Sequence, residues 1–154
     1  EKETASRLRG GGAIAYARLA YQIYKETMKS DRWLRLSSRG AQPQRLLWAS
    51  TGTKDPAYSD VKYVEALIGP NTVNTLPPET LNAYRKHGDP SLRLEQDLAV
   101  AAETPTSLAN MGIEMEAVAQ LLEEEGVKKF IEPFDKLLTS LEQRRQKIAS
   151  KESV

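Results

Sequence analysis

The sequence predicts an α/β fold, mostly helical, with about two parallel strands and helices outside them. Three observations predict it. Leu46, Leu47, Trp48 and Ala49 form an apolar run without polar alternation, as in a strand covered on both faces. The run stops abruptly in a small polar loop, Ser50 to Lys54, with Gly52 at its centre. Strand and helix patterns then alternate with short connections as far as residue 88, which leads to a parallel sheet inside helices, as a barrel or a doubly wound sheet.

The first helix is expected after Gly12, downstream of the polar, glycine-rich segment Arg7 to Gly12. Ile14, Ala17, Tyr21, Tyr24 and Met28 recur at three and four residues and give one apolar face, with Arg18, Lys25 and Lys29 on or beside its edges. Tyrosines on such a stripe read as packing; an aromatic platform for a base or sugar is the functional alternative. Ser30 or Asp31 can cap a short helix to Leu36, and Ser37 to Pro43 is the loop into the strand.

After the loop, Asp55 next to Pro56 reads as an N-cap with proline at the first helical position. Tyr58, Val61, Val64 and Leu67 set out a helix over 59–68, ended at Gly69-Pro70 by left-handed capping and a missing amide donor. Thr72 to Leu76 is a β-prone run. Pro77-Pro78-Glu79 opens another helix, whose end is marked by Lys86-His87-Gly88.

Beyond residue 88 the pattern is helical throughout. Leu92, Leu94, Leu98 and Ala102 predict a helix over 93–103, which Thr104-Pro105 ends or kinks because proline lacks the amide proton. Thr106 restarts a short helix that stops near Met111-Gly112. Met115, Val118, Ala119, Leu121 and Leu122 predict an amphipathic helix ending at Gly126, with Glu123 to Glu125 as a solvated face. Val127, Phe130, Ile131, Phe134, Leu137, Leu138 and Leu141 mark a last helix that restarts or bends at Pro133, and Glu142 to Val154 is expected to trail into a frayed, charged end.

The chemistry concentrates in the loop after the first strand. The hydroxyls of Ser50, Thr51 and Thr53, the flexible backbone at Gly52 and the ammonium of Lys54 are all groups that bind or neutralise a phosphate. The bland reading is an ordinary strand-to-helix connection with a solvated lysine. The rival functional reading makes Lys54 a Schiff-base nucleophile, which needs a desolvated neutral amine that a flexible loop beside Asp55 does not provide. His87 satisfies carbonyls at a helix end, or moves a proton. Asn74 points into a barrel mouth or satisfies a buried hydrogen bond.

Composition excludes several classes. With 22 Lys and Arg against 21 Asp and Glu, the net charge of +1 gives no reason to expect nucleic acid or an anionic membrane as a partner. No apolar run approaches the roughly 20 residues that span a bilayer. There are no cysteines and one histidine, so disulfides, thiolate catalysis and the common metal sites are out of reach, and no metal is expected. A cytoplasmic setting is expected.

Arg45 to Pro56, followed by Ala57 to Pro70 and Asn71 to Pro77, resembles the seventh and eighth strands of transaldolase in its longer bacterial and plant-like branch. Glu79 to Gly88 resembles the helix after the eighth strand, and Gly112 to Phe130 the C-terminal helices. The similarity runs from about Leu8 to about Arg145. It implies the C-terminal fragment of a (β/α)8 TIM barrel: one incomplete domain, with 1–88 as the last barrel units and 89–154 as C-terminal helices.

A complete barrel usually needs about 250 residues, and a chain opening at Glu1 without methionine is expected to start mid-protein. Relatives of this branch are sometimes fused to a phosphoglucose isomerase. The resemblance further implies an enzyme that moves a dihydroxyacetone unit between sugar phosphates through a lysine Schiff base, in the pentose phosphate pathway, with no metal and no organic cofactor. Its nucleophile, acid/base carboxylates and principal phosphate-binding arginine lie on earlier strands.

In that family the position after this strand supplies a cation to the sugar phosphate, and a serine near the cation in other branches matches Ser50. Ser50, Thr51 and Lys54 are therefore the expected phosphate site, with no catalytic residue in this chain. Expected partners are sugar phosphates and the N-terminal barrel portion, or a second copy through open strand edges. The alternative is a truncated, noncatalytic helical interaction module.

Overall fold

Helix α1, Gly12–Lys29, forms on the predicted stripe: Tyr21 is buried, and Ile14, Ala17 and Tyr24 pack against the cluster it makes with Leu67 and Leu94. These details come from a computed structural model, which describes Ala5 and residues 8 to 151. The Tyr21 hydroxyl donates to the Pro70 carbonyl at 3.1 Å, and burial pushes the phenol up, which keeps it a donor. Packing is thus the role of this tyrosine. Ser30 ends α1 and caps α2, Asp31–Ser37, by accepting from the Trp33 amide at 3.2 Å.

The chain divides into two compact units, one up to Ser107 and one from Leu108. The first contains a two-stranded parallel sheet. β1, Leu46–Trp48, pairs with β2, Thr72–Asn74, in the register Leu46 to Thr72, Leu47 to Val73 and Trp48 to Asn74. The strands fall where the apolar run and the β-prone run predict them. Coverage on both faces does not follow, since Leu47 is 53% exposed.

Between the strands lies α3, Lys62–Ala66, shorter than the 59–68 predicted. Asp55 is not a helix cap. Its carboxylate accepts from the Ala57 amide at 2.9 Å and its carbonyl from the Tyr58 amide at 3.1 Å, so it closes a turn and the helix starts later. The predicted apolar spacing still holds, with Val61, Val64 and Leu67 all buried. Gly69 does not adopt the left-handed conformation expected of a cap; among the described residues Asn71 does, at φ 57°.

Gly69 is small for a different reason: a Cβ there would lie 2.5 Å from Leu94 Cδ2 and 2.8 Å from Leu94 Cβ. Gly69→Ala is accordingly expected to destabilise the protein by about 1 to 3 kcal/mol through overpacking, read as a lower urea midpoint at unchanged slope.

Leu94 reaches this position because residues 88 to 97 form no helix. The Arg93 and Leu94 amides both donate to the Ile68 carbonyl at 3.0 Å, and the Asp89 amide donates to Glu65 at 2.8 Å. Arg93 pairs with Asp89 and, at 3.7 Å, with Glu65; Lys25 of α1 pairs with Glu95. The segment is pinned to the end of α3 and to α1, which overrides the helical spacing of Leu94, Leu98 and Ala102 at its first member. Before it comes α4, Pro78–His87, opened by proline as predicted. Gly88 follows in an extended conformation.

After it comes α5, Leu98–Asn110. The predicted helix over 93–103 is therefore displaced, and Pro105 sits inside α5 rather than ending it. Buried Ala101 and Thr104 anchor the first half, and the Thr104 hydroxyl donates to the Val100 carbonyl at 2.8 Å, a contact that accommodates bending. Gly112, at φ 77°, closes the turn beyond.

In the second unit a single helix, α6, runs from Met115 to Lys151 without a break at Gly126 or Pro133. Interior glycine costs only about 1 kcal/mol relative to alanine; the ion pair Glu125–Lys129 (3.0 Å) spans Gly126, and Lys128–Glu132 (3.8 Å) supports the turn just before Pro133. The end expected to fray from Glu142 is helical to Lys151; its last three residues lie outside the described residues. The Glu123 to Glu125 face is solvated as expected, but so are the apolar residues from Leu121 to Leu141.

Candidate anion site at the strand ends

Parallel pairing sets the C-terminal ends of β1 and β2 side by side, so the loops that follow them meet. The Thr75 amide donates to the Trp48 carbonyl at 2.9 Å and extends the ladder by one bond. The first loop then departs from the sheet, because Ser50 takes a left-handed backbone at φ 56°. Such a conformation is uncommon for a non-glycine residue, costs free energy, and concentrates at functional sites.

Thr51 is 4% exposed, and its hydroxyl donates to Asn74 Oδ1 of β2 at 2.7 Å, with the Thr75 carbonyl 3.3 Å away. Gly52 packs against the start of α4, where a Cβ would meet Pro77 Cγ at 2.9 Å. Lys54 is exposed and makes no hydrogen bond or ion pair among the described residues. Nor does any backbone amide from Ser50 to Lys54 donate to another described residue. Consecutive free amides beside a lysine and a hydroxyl can receive an anion.

The loop borders a cavity of about 620 Å³ between β1 and the N-terminal turn with α1. Ser50, Thr51, Gly52 and Lys54 line one end; Ile14, Ala17, Leu47 and Trp48 make the rest apolar. All three residues predicted for the phosphate site thus lie on one loop at one cavity, Thr51 with its hydroxyl turned to Asn74. Of the two readings for Asn74, the hydrogen bond is the one observed. His87 Nε2 stands 3.4 Å from Asp60 Oδ2.

Sequence reasoning missed three residues of this cavity: Arg9, Asp55 and Tyr58. Arg9 lies 3.4 Å from Asp55, and the ammonium of Lys62 sits 3.5 Å from the centre of the Tyr58 ring. Gly10, at φ 70°, leaves room for that pair, since a Cβ there would lie 2.6 Å from the ammonium. The Arg9–Asp55 contact, 46 residues apart in sequence, carries no periodic signal. Trp48 Nε1 and Thr53 Oγ1 are buried without a hydrogen-bond partner among the described residues. Among those residues there is also no cluster of acidic or histidine side chains fit for a metal ion, and no helix long and apolar enough to cross a membrane.

The family model for transaldolase/fructose-6-phosphate aldolase matches residues 1–141. The transaldolase of Trichodesmium erythraeum is 49% identical over 149 residues, covering 96% of this chain and 39% of that protein. Transaldolase 2 of a Nostoc species is 50% identical over 137 residues, with 88% and 36% covered. The transaldolase of Thiobacillus denitrificans is 48% identical over 134 residues, with 87% and 37% covered. The chain therefore spans about two-fifths of the length of these curated relatives.

Proposed function

The chain belongs to the transaldolase/fructose-6-phosphate aldolase family, and from that membership we propose that it is the C-terminal part of a transaldolase. In this reading the intact enzyme transfers a dihydroxyacetone unit between sugar phosphates through a lysine Schiff base, in the pentose phosphate pathway. This chain supplies two neighbouring strands of the TIM barrel and part of the phosphate site. The loop from Ser50 to Lys54 carries the reading: it joins free amides, a hydroxyl and an ammonium at the C-terminal strand ends, where barrel enzymes bind phosphate.

Ser50 and Lys54 contact the phosphate in this assignment, and Thr51 contributes its place in the loop. The nucleophile lies outside these residues. A Schiff-base lysine works from a dry pocket, whereas Lys54 is open to solvent. The free edge of β1 and the apolar part of the cavity suit a further strand from the N-terminal portion of the barrel, which is the chain's proposed partner beside the sugar phosphate.

Inorganic phosphate tests the site. In the intact enzyme Ser50→Ala is expected to weaken competitive inhibition by phosphate about fivefold, the size of one lost hydrogen bond; an unchanged inhibition constant removes Ser50 from the site.

One observation favours the second reading, a noncatalytic helical interaction module. The apolar side chains of α6 are bare, Phe130 being 84% exposed. Under that reading the intact protein turns over no sugar phosphate.

A further inference from the structure

We propose that the hydrogen bond from Thr51 to Asn74 is the device that positions the anion loop, with Asn74 a positioning residue contributed by the neighbouring strand. The inference rests on the phosphate reading of this loop and adds the residue that holds it in shape. Ser50 pays for its left-handed backbone with strain, and such strain persists only where the surroundings over-determine it. The determinant next to it is Thr51, whose hydroxyl has one proton to donate.

At 2.7 Å, Asn74 Oδ1 is the acceptor of that proton in preference to the Thr75 carbonyl at 3.3 Å. Asn74 is itself fixed, because it is paired in register with Trp48 at the last position of β2. The bond therefore ties the loop after one strand to the end of the next. Gly52 against Pro77 provides a second point of attachment. Between them, Ser50 is clamped from one side.

An amide at position 74 also suits the ligand's charge. Aspartate would accept the same hydrogen bond but set a negative charge beside a loop that receives an anion, which disfavours phosphate without dismantling the geometry. The neutral side chain is thus a determinant of specificity for phosphorylated sugars.

The test compares Thr51→Val, Thr51→Ser and Asn74→Asp in the intact enzyme, with Lys54→Ala as the control for the site itself. Substrates are fructose 6-phosphate and unphosphorylated fructose. Thr51→Val is expected to raise KM for fructose 6-phosphate about tenfold, in line with a lost buried hydrogen bond, while kcat/KM for fructose stays as in the parent. Thr51→Ser restores KM, and Asn74→Asp raises it for the phosphorylated sugar alone.

An equal fall in activity toward both sugars, or a Thr51→Val enzyme with parental KM, overturns the inference. If Lys54→Ala changes KM while Thr51→Val and Asn74→Asp do not, the site stands and the positioning role is wrong. If none of the variants changes KM, the phosphate reading is wrong and the inference falls with it.

Discussion

Lys54→Ala in the intact enzyme is expected to raise KM for phosphorylated sugars by one to two orders of magnitude and to leave unphosphorylated substrates nearly unaffected. A charge-assisted contact to phosphate contributes about 1 to 3 kcal/mol. The lysine side chain makes no bond to another described residue, so its removal leaves no protein group unpaired. The loss is therefore a loss of substrate binding rather than of fold, and Lys54→Arg should recover part of it by restoring the cation. Steady-state kinetics with fructose 6-phosphate and fructose measure the difference. Equal KM for the phosphorylated sugar in parent and Lys54→Ala would take Lys54 out of the site.

Leu94→Ala is expected to destabilise the protein by about 2 to 5 kcal/mol. Leu94 is 0% exposed and packs with Tyr21 of α1 and Leu67 beyond α3, so truncation opens a cavity between elements that have few other fully buried side chains. The cavity cannot collapse easily, because the segment around Leu94 is tied to the Ile68 carbonyl by two amides. Urea denaturation of the intact protein gives the value from the shift in midpoint. A change below about 1 kcal/mol would mean that the cluster is not the anchor of this unit.

Local chemistry was legible in the sequence; contacts across the chain were not. The unalternating run at Leu46 to Ala49, the stripe from Ile14 to Tyr24 and the cap at Ser30 each carry their structure within a few residues, and the structure has them in place. The loop after β1 could be singled out as a candidate anion site because its composition is local too. Its shape was not legible. Nothing in the letters around Ser50 announces a left-handed backbone, and Asp55 before Pro56 reads equally as a helix cap or as the start of the turn that it closes with the Ala57 and Tyr58 amides.

The helix boundaries that moved did so through packing. Leu94, Leu98 and Ala102 have helical spacing, but hydrogen bonds to Ile68 and Glu65 hold residues 88 to 97 out of a helix. Gly126 is a breaker by propensity and Pro105 through its missing amide donor, and a cost of about 1 to 3 kcal/mol yields where the flanks favour helix.

Borohydride trapping in the intact enzyme shows whether this chain supplies phosphate recognition alone or carries the nucleophile as well. The enzyme is incubated with fructose 6-phosphate, reduced and mapped by peptide mass spectrometry. A stoichiometric adduct is expected on a lysine outside these 154 residues, still formed by Lys54→Ala once the sugar phosphate is raised to saturation. An adduct on Lys54, or on any other lysine of this chain, would contradict it.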